Sequence, residues 1–116
     1  MYVVVDLGAD PAAVSLVEPS DCTRFHLAVR GPSDPVALGR VLAATESGWL
    51  NEQGAAFVSI GALRRLSVGR VQPGWDTAFQ TMIDWAASKG WTNPEGTAIQ
   101  AHVAWESEAQ GAGVDF

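Results

Sequence analysis

Four residues of this sequence could do chemistry together: Cys22, His26, His102 and Glu106. A thiolate, two imidazoles and a carboxylate suit zinc, or a Cys–His nucleophile pair. In an extended segment alternate side chains share a face. A strand over 23–30, if it reaches back to residue 22, therefore sets Cys22, Arg24 and His26 on one side. A strand over 97–105 sets Gln100 and His102 on one side, with Glu106 just beyond its end. If these strands are neighbours in register, the two imidazoles stand about 5 Å apart at Cβ. The two pairs are far apart in the chain, and no HExxH, CxxC or glycine-rich phosphate loop ties them together. The plainer reading is two half-exposed strand histidines making ordinary hydrogen bonds. No catalytic residue is assigned, and no metal or cofactor is expected.

The five tryptophans are the second candidate. Trp75, Trp85 and Trp105 fall on faces expected to be buried. Trp49 and Trp91 flank turns, so they are the candidates for the rim of a small-molecule site, with a sugar or a planar metabolite as ligand. His26 and His102 complete the set of candidate ligand-binding residues. Ser59, Ser67 and Ser88 lack the GxSxG context of a nucleophile elbow. Asp76 and Asp84 read as solvated helix carboxylates. Residues 3–10, VVVDLGAD, are superficially similar to the strand and turn that open sugar-kinase and actin-like phosphate sites. Such sites need a much larger two-lobed fold, which 116 residues do not supply.

The element that must organise these candidates is a helix over 73–91. At 100° per residue, Trp75, Ala78, Phe79, Met82, Ile83, Trp85 and Ala86 form one apolar stripe. Pro73 suits the first turn, Asp76 the positive end of the dipole and Lys89 the negative end. Gly90 is placed to stop it. A second helix begins at Asp34, a good N-cap, with Pro35 in its first turn. Its stripe is Leu38, Val41, Leu42 and Thr45, and Gly48 is the expected stop. A short third helix runs from the cap Ser59 to about Val68 and closes at Gly69.

Two strands are well marked. Over 23–30, Phe25, Leu27 and Val29 point one way, and Arg24, His26, Ala28 and Arg30 the other. Over 97–105, Ile99, Ala101, Val103 and Trp105 oppose Ala98, Gln100, His102 and Ala104. A short buried strand is expected over 55–59, and weaker ones over 2–5 and 14–18. Residues 49–54 read as a turn-rich connection with room for a few extended residues, and 91–96 as a turn. Residues 1–21 form an arm or an added strand, 22–106 the core and 107–116 a flexible tail of a single domain.

The order strand, helix, strand, helix, helix, strand implies an α+β two-layer sandwich: a small mixed sheet with two or three helices on one face. The strand–helix–strand unit favours parallel pairing of its two strands, with the last strand as an antiparallel neighbour. The opposite sheet face is then bare. It carries Arg24, His26, Arg30, Gln100, His102 and Glu106, the candidate interface residues, separated by small Ala28, Ala98 and Ala104. An open sheet face is wet or seats a partner.

Composition narrows the partner. Net charge is −6 with seven Lys plus Arg, which disfavours nucleic acid and anionic membrane. One cysteine excludes an internal disulfide, and no stretch reaches the ~20 apolar residues of a membrane span, so a cytoplasmic location is expected. The function expected is association, with itself or with a larger protein. A Trp-lined small-molecule site is the alternative, and a Cys/His metal or enzymatic site the third reading.

Overall fold

A computed structural model of the protein describes residues 1–9 and 12–106. The strands are β1 (Tyr2–Asp6), β2 (Ala13–Val17), β3 (His26–Arg30), β4 (Gly48–Leu50), β5 (Ala56–Ser59), β6 (Ala98–Ala101) and β7 (Val103–Trp105). The helices are α1 (Pro35–Ala44), α2 (Ile60–Ser67) and α3 (Trp75–Ser88). The chain is α+β, as the pattern of elements implies. The expected flexible tail over 107–116 lies outside the described residues. No described helix is long and apolar enough to cross a membrane.

The strands form two sheets rather than one. Sheet A has the order β2-β1-β3-β7, and sheet B the order β4-β5-β6. The expected parallel pairing of the strands flanking α1 does not occur. β3 pairs in parallel with β1 and β7, while β5 lies in sheet B between antiparallel β4 and β6. The cause is local. After α1 the chain turns within three residues, Ser47 N donating to Leu42 O and Thr45 Oγ1 to Val41 O, so β4 is laid directly beside the helix. A hairpin clamped by Asn51, whose Oδ1 accepts from Gln53 N and Ala55 N, then returns as β5. The partner of β3 comes instead from the leading residues. β1 is an interior strand, and Met1, Val3, Val5 and Leu16 join the core.

One segment serves both sheets. β6 and β7 are separated only by His102, and the expected alternation over 97–105 survives the change of sheet. Ile99 and Ala101 are fully buried, Val103 and Trp105 half-buried against the core, and His102 and Glu106 exposed. Ala98 breaks the pattern: it is completely buried, and its N–H bonds to the buried Asn93 side chain that holds the 93–97 turn. The inward sides of both sheets, with Phe25, Leu27, Val29, Val58 and Ile99, meet α1 through Leu38 and Leu42 and α3 through Phe79, Met82 and Ile83 in one core cluster.

The organising helix is shorter than 73–91. It begins after Gly74, which sits at φ 93° with no side-chain cap, and Lys89 is its C-cap. Trp75 is buried, and its Nε1 donates to Pro19 O at 2.7 Å. That bond holds the 18–25 connection, which crosses the start of β1, where the Met1 amine donates to Asp21 O at 2.7 Å and Arg24 O at 3.2 Å. The same crossing shortens the strand expected over 23–30. Thr23 N and Oγ1 both donate to Asp21 Oδ1, a turn that delays the ladder to His26.

Gly48 does not stop α1, which is closed by Thr45 and by Glu46 at φ 54°. Gly48 opens β4 because a Cβ there would stand 1.9 Å from Phe57 O, a backbone atom that cannot move aside. Gly54, at φ 82°, has nothing within 4 Å of its would-be Cβ. Gly54→Ala should therefore cost only the left-handed penalty, about 1–2 kcal/mol. Gly48→Ala should cost at least about 3 kcal/mol, because the β4–β5 pair must separate. Urea unfolding of the two variants checks this, and equal losses would contradict the close approach.

Candidate functional site

The outward face of sheet A follows from register. Partners across a ladder share a face, so β1, β2, β3 and β7 define three rows. Val17, Tyr2, His26 and His102 make the first. Ser15, Val4, Ala28 and Ala104 make the second, in which every side chain is small. Ala13, Asp6, Arg30 and Glu106 make the third. Of the residues in these rows only Val4, at 5 % exposure, is buried, whereas the inward Val5, Leu27 and Val29 have no exposure at all. The helices thus cover the other side, and this face is left bare by the described residues.

His26, in β3, and His102, just before β7, fall on neighbouring strands, the condition the sequence left open, but β3 and β7 run parallel rather than antiparallel as expected. Leu27 pairs with Val103, and Leu27 N donates to His102 O at 2.9 Å, so the register extended by one residue sets His102 beside His26. The His26 ring, however, stacks on Tyr2 with centroids 4.8 Å apart and planes 8° from parallel. Glu106 turns to Arg30, Nε to Oε2 at 3.1 Å, with both side chains more than half exposed; such a pair is worth under about 1 kcal/mol. Cys22 is not on this face. It lies in the 18–25 connection, half-buried against the core, and Arg24 is exposed in the same connection. Cys22, His26, His102 and Glu106 therefore do not converge, because the Asp21–Thr23 turn ends the alternation that would join residue 22 to residue 26. Among the described residues no group of three or more His, Cys, Asp or Glu could hold a metal ion.

Sheet B presents an aromatic row outward. Trp49 pairs with Phe57 and Phe57 with Gln100. Gln100 N donates to Trp91 O at 2.6 Å, next to the Thr92–Ile99 bridge, so Trp91 lies opposite Gln100. The Trp49 and Phe57 rings stack at 5.4 Å, and Trp91 meets Trp85 edge-on at 5.1 Å. By register Trp49 and Trp91, the two tryptophans expected at a rim, fall on one row about three strand spacings, or ~14 Å, long; Trp49 is exposed there, whereas Trp91 is half-buried against Trp85 and the core. Since Gln100, His102 and Ala104 follow the same alternation, this row and the first row of sheet A adjoin across His102.

Trp85 was expected in the core and is 42 % exposed; Trp105, also expected there, is half-buried. Ala78, Thr81 and Trp85, at spacing i, i+3, i+7, form the flank of α3 rather than its core stripe. With Met82 they make one wall of a cavity of about 500 Å³ whose other wall is the 20–23 segment. Sequence reasoning missed this site. The i, i+3, i+7 spacing was legible, but the passage of the connection alongside it was not.

Burial pushes the Cys22 thiol above its ordinary value, opposed by the Met1 ammonium and aided by the Asp21 carboxylate. The Thr23 side chain and backbone N–H hold the solvent-facing Asp21 carboxyl below the usual range. Its ionised form thus favours the folded chain at neutral pH, and that small contribution is lost as pH falls through the lowered value. No family model, curated protein or solved structure matches the chain.

The state of Cys22 is open to test. Iodoacetamide should alkylate it at pH 8 at least about tenfold more slowly in the folded chain than in urea, with the folded rate still rising above pH 9. Equal rates would contradict its place in the cavity wall.

Proposed function

We propose that the chain acts by association, pairing reversibly with a second copy of itself through the outward face of sheet A. The observation that carries this reading is the order of the three rows. Small residues in the middle row let another backbone approach closely. A two-fold axis lying along that row keeps each strand position and exchanges the outer rows. His102 then stands over Glu106 of the second copy, Tyr2 over its Asp6, and Val17 over its Ala13. At the fourth strand His26 falls over Arg30 of the second copy, which is poorly matched; at the other three a donor meets an acceptor twice and an apolar side chain meets an apolar one once. The aligned packing of two such sheets, offset by about 30°, is a common solution.

Size sets the strength. Four strands ~4.8 Å apart and about five residues long give a footprint of about 300 Å² per molecule. The pair buries less than the ~1,200–2,000 Å² of a stable complex. The proposal is accordingly a transient contact, with Kd on the order of 100 μM, or about 5.5 kcal/mol.

The aromatic row supports a second reading: a platform for a flat ligand such as a sugar ring, with Trp49 and Phe57 giving the stacking face and the Gln100 amide a hydrogen-bonding group. His102, adjoining both rows, serves either use. Tryptophan emission that responds to a sugar, and loses the response in Trp49→Ala, would favour it.

Sedimentation velocity from about 5 to 500 μM tests the association. The weight-average coefficient should rise toward that of a dimer, fall again in high salt, and stay monomeric in Ala28→Glu. His102→Glu, which sets like charges against Glu106, should also weaken pairing. A monomer at all concentrations, or pairing indifferent to Ala28→Glu, would overturn the proposal.

A further inference from the structure

The cavity on the flank of α3 has a donor–acceptor character that follows from its hydrogen bonds. A threonine hydroxyl has one proton to give. Thr81 Oγ1 gives its proton to Thr77 O at 3.0 Å, and Thr23 Oγ1 gives its own to Asp21 Oδ1. What these side chains turn toward a ligand is therefore lone pairs. The Asp21 carboxylate accepts only, and the two bonds from Thr23 keep it ionised. Three of the polar lining groups, Asp21, Thr23 and Thr81, thus offer acceptors and one negative charge, while the Ser20 hydroxyl can accept as well as donate.

The rest of the lining is of another kind. Met82 is 4 % exposed and Cys22 half-buried, and both line the cavity, so it also carries two sulfur-bearing side chains, soft and polarisable. The Trp85 ring lines the same space. It already faces one cation, Lys89 Nζ, 5.9 Å from its centroid. A volume of about 500 Å³ is within the ~300–1,000 Å³ of small-molecule sites.

We propose that the cavity between α3 and the 20–23 segment binds a small organic amine, its ammonium donating to Asp21, Thr23 and Thr81 and its apolar body lying against Met82 and Trp85. Hydrogen-bond accounting favours the class: Asp21, Thr23 and Thr81 need protons from the ligand, the Ser20 hydroxyl can accept one, and an anion would meet the carboxylate. The Met1 ammonium, bonded to Asp21 O, and Arg24 both lie close enough to Asp21 to help hold its pKa down, and they offset part of its charge. Binding is therefore modest, in the submillimolar range. None of the lining residues belongs to the rows of sheet A, so the site does not rest on the association proposed above.

The test uses phenethylamine, with phenethyl alcohol and hydrocinnamate as neutral and anionic counterparts of the same body. Tryptophan fluorescence reads binding, and iodoacetamide alkylation of Cys22 reads its place. Phenethylamine should saturate and slow the alkylation at least about fivefold, the alcohol should bind about tenfold more weakly, and hydrocinnamate should not bind. Asp21→Asn should bring the amine down to the alcohol's affinity. Since Asp21 also shapes its own turn, Thr81→Val provides a variant on the opposite wall, expected to weaken the amine more than the alcohol. No saturation by about 20 mM, equal binding of amine and alcohol, or unchanged Cys22 alkylation at saturation would each overturn the proposal.

Discussion

The stretch from Ala98 to Trp105 has to satisfy two sheets at once, and the rest of the fold follows from how it does so. As β6 it pairs antiparallel with β5; as β7 it pairs parallel with β3. The exchange is made at His102, whose carbonyl accepts from Leu27 N. Because inward and outward positions keep alternating through the exchange, both sheets turn the same side of this strand to the core. Slipping the register by one residue would bring Gln100 and His102 inward and expel Ile99 and Ala101. That penalty is what fixes the two sheets to a common interior.

Much of this was legible in the chain itself, and the reason is periodicity. Phe25, Leu27 and Val29 alternate cleanly, and all three are fully buried. Trp75, Phe79, Met82, Ile83 and Ala86 repeat at helical spacing, and all five are buried. The Asp34 and Ser59 caps are local chemistry, and both accept backbone N–H groups as read. Pairing was not legible, since it depends on contacts distant in sequence. Nothing in Tyr2–Asp6 says that it is an interior strand, and nothing before β5 says that it leaves the sheet of β3. The side-by-side placement of His26 and His102 came from alternation plus an assumed neighbourhood. Alternation failed for Cys22 because a three-residue turn at Asp21–Thr23 intervenes. Trp85 was misplaced for a subtler reason: it sits at the edge of the stripe, where helical angle alone does not separate core from flank.

The bare surface and the cavity belong to different parts of the architecture. The first is the side of the sheets that helices do not reach, and its character comes from register: small residues between a ring-bearing row and a charged one. The second exists because α3 is wider in apolar residues than the core requires, so that Ala78 and Trp85 spill over its edge onto the 20–23 segment. Trp75 holds that segment in place through Pro19, which ties the cavity to the same helix that seals the core. Each feature arises from the packing of elements, and neither is announced by a sequence motif.

The central claim is that the outward side of the sheets is exposed in the single molecule and covered when molecules meet. Hydroxyl-radical footprinting at low and high protein concentration tests it most directly, read residue by residue. The account predicts that Tyr2, His26 and His102 are modified readily in dilute solution and protected on concentration, while Phe25 and Phe79 stay unmodified throughout. Modification of Phe25 as fast as His26, or of Tyr2 and His102 at one rate regardless of concentration, would contradict it.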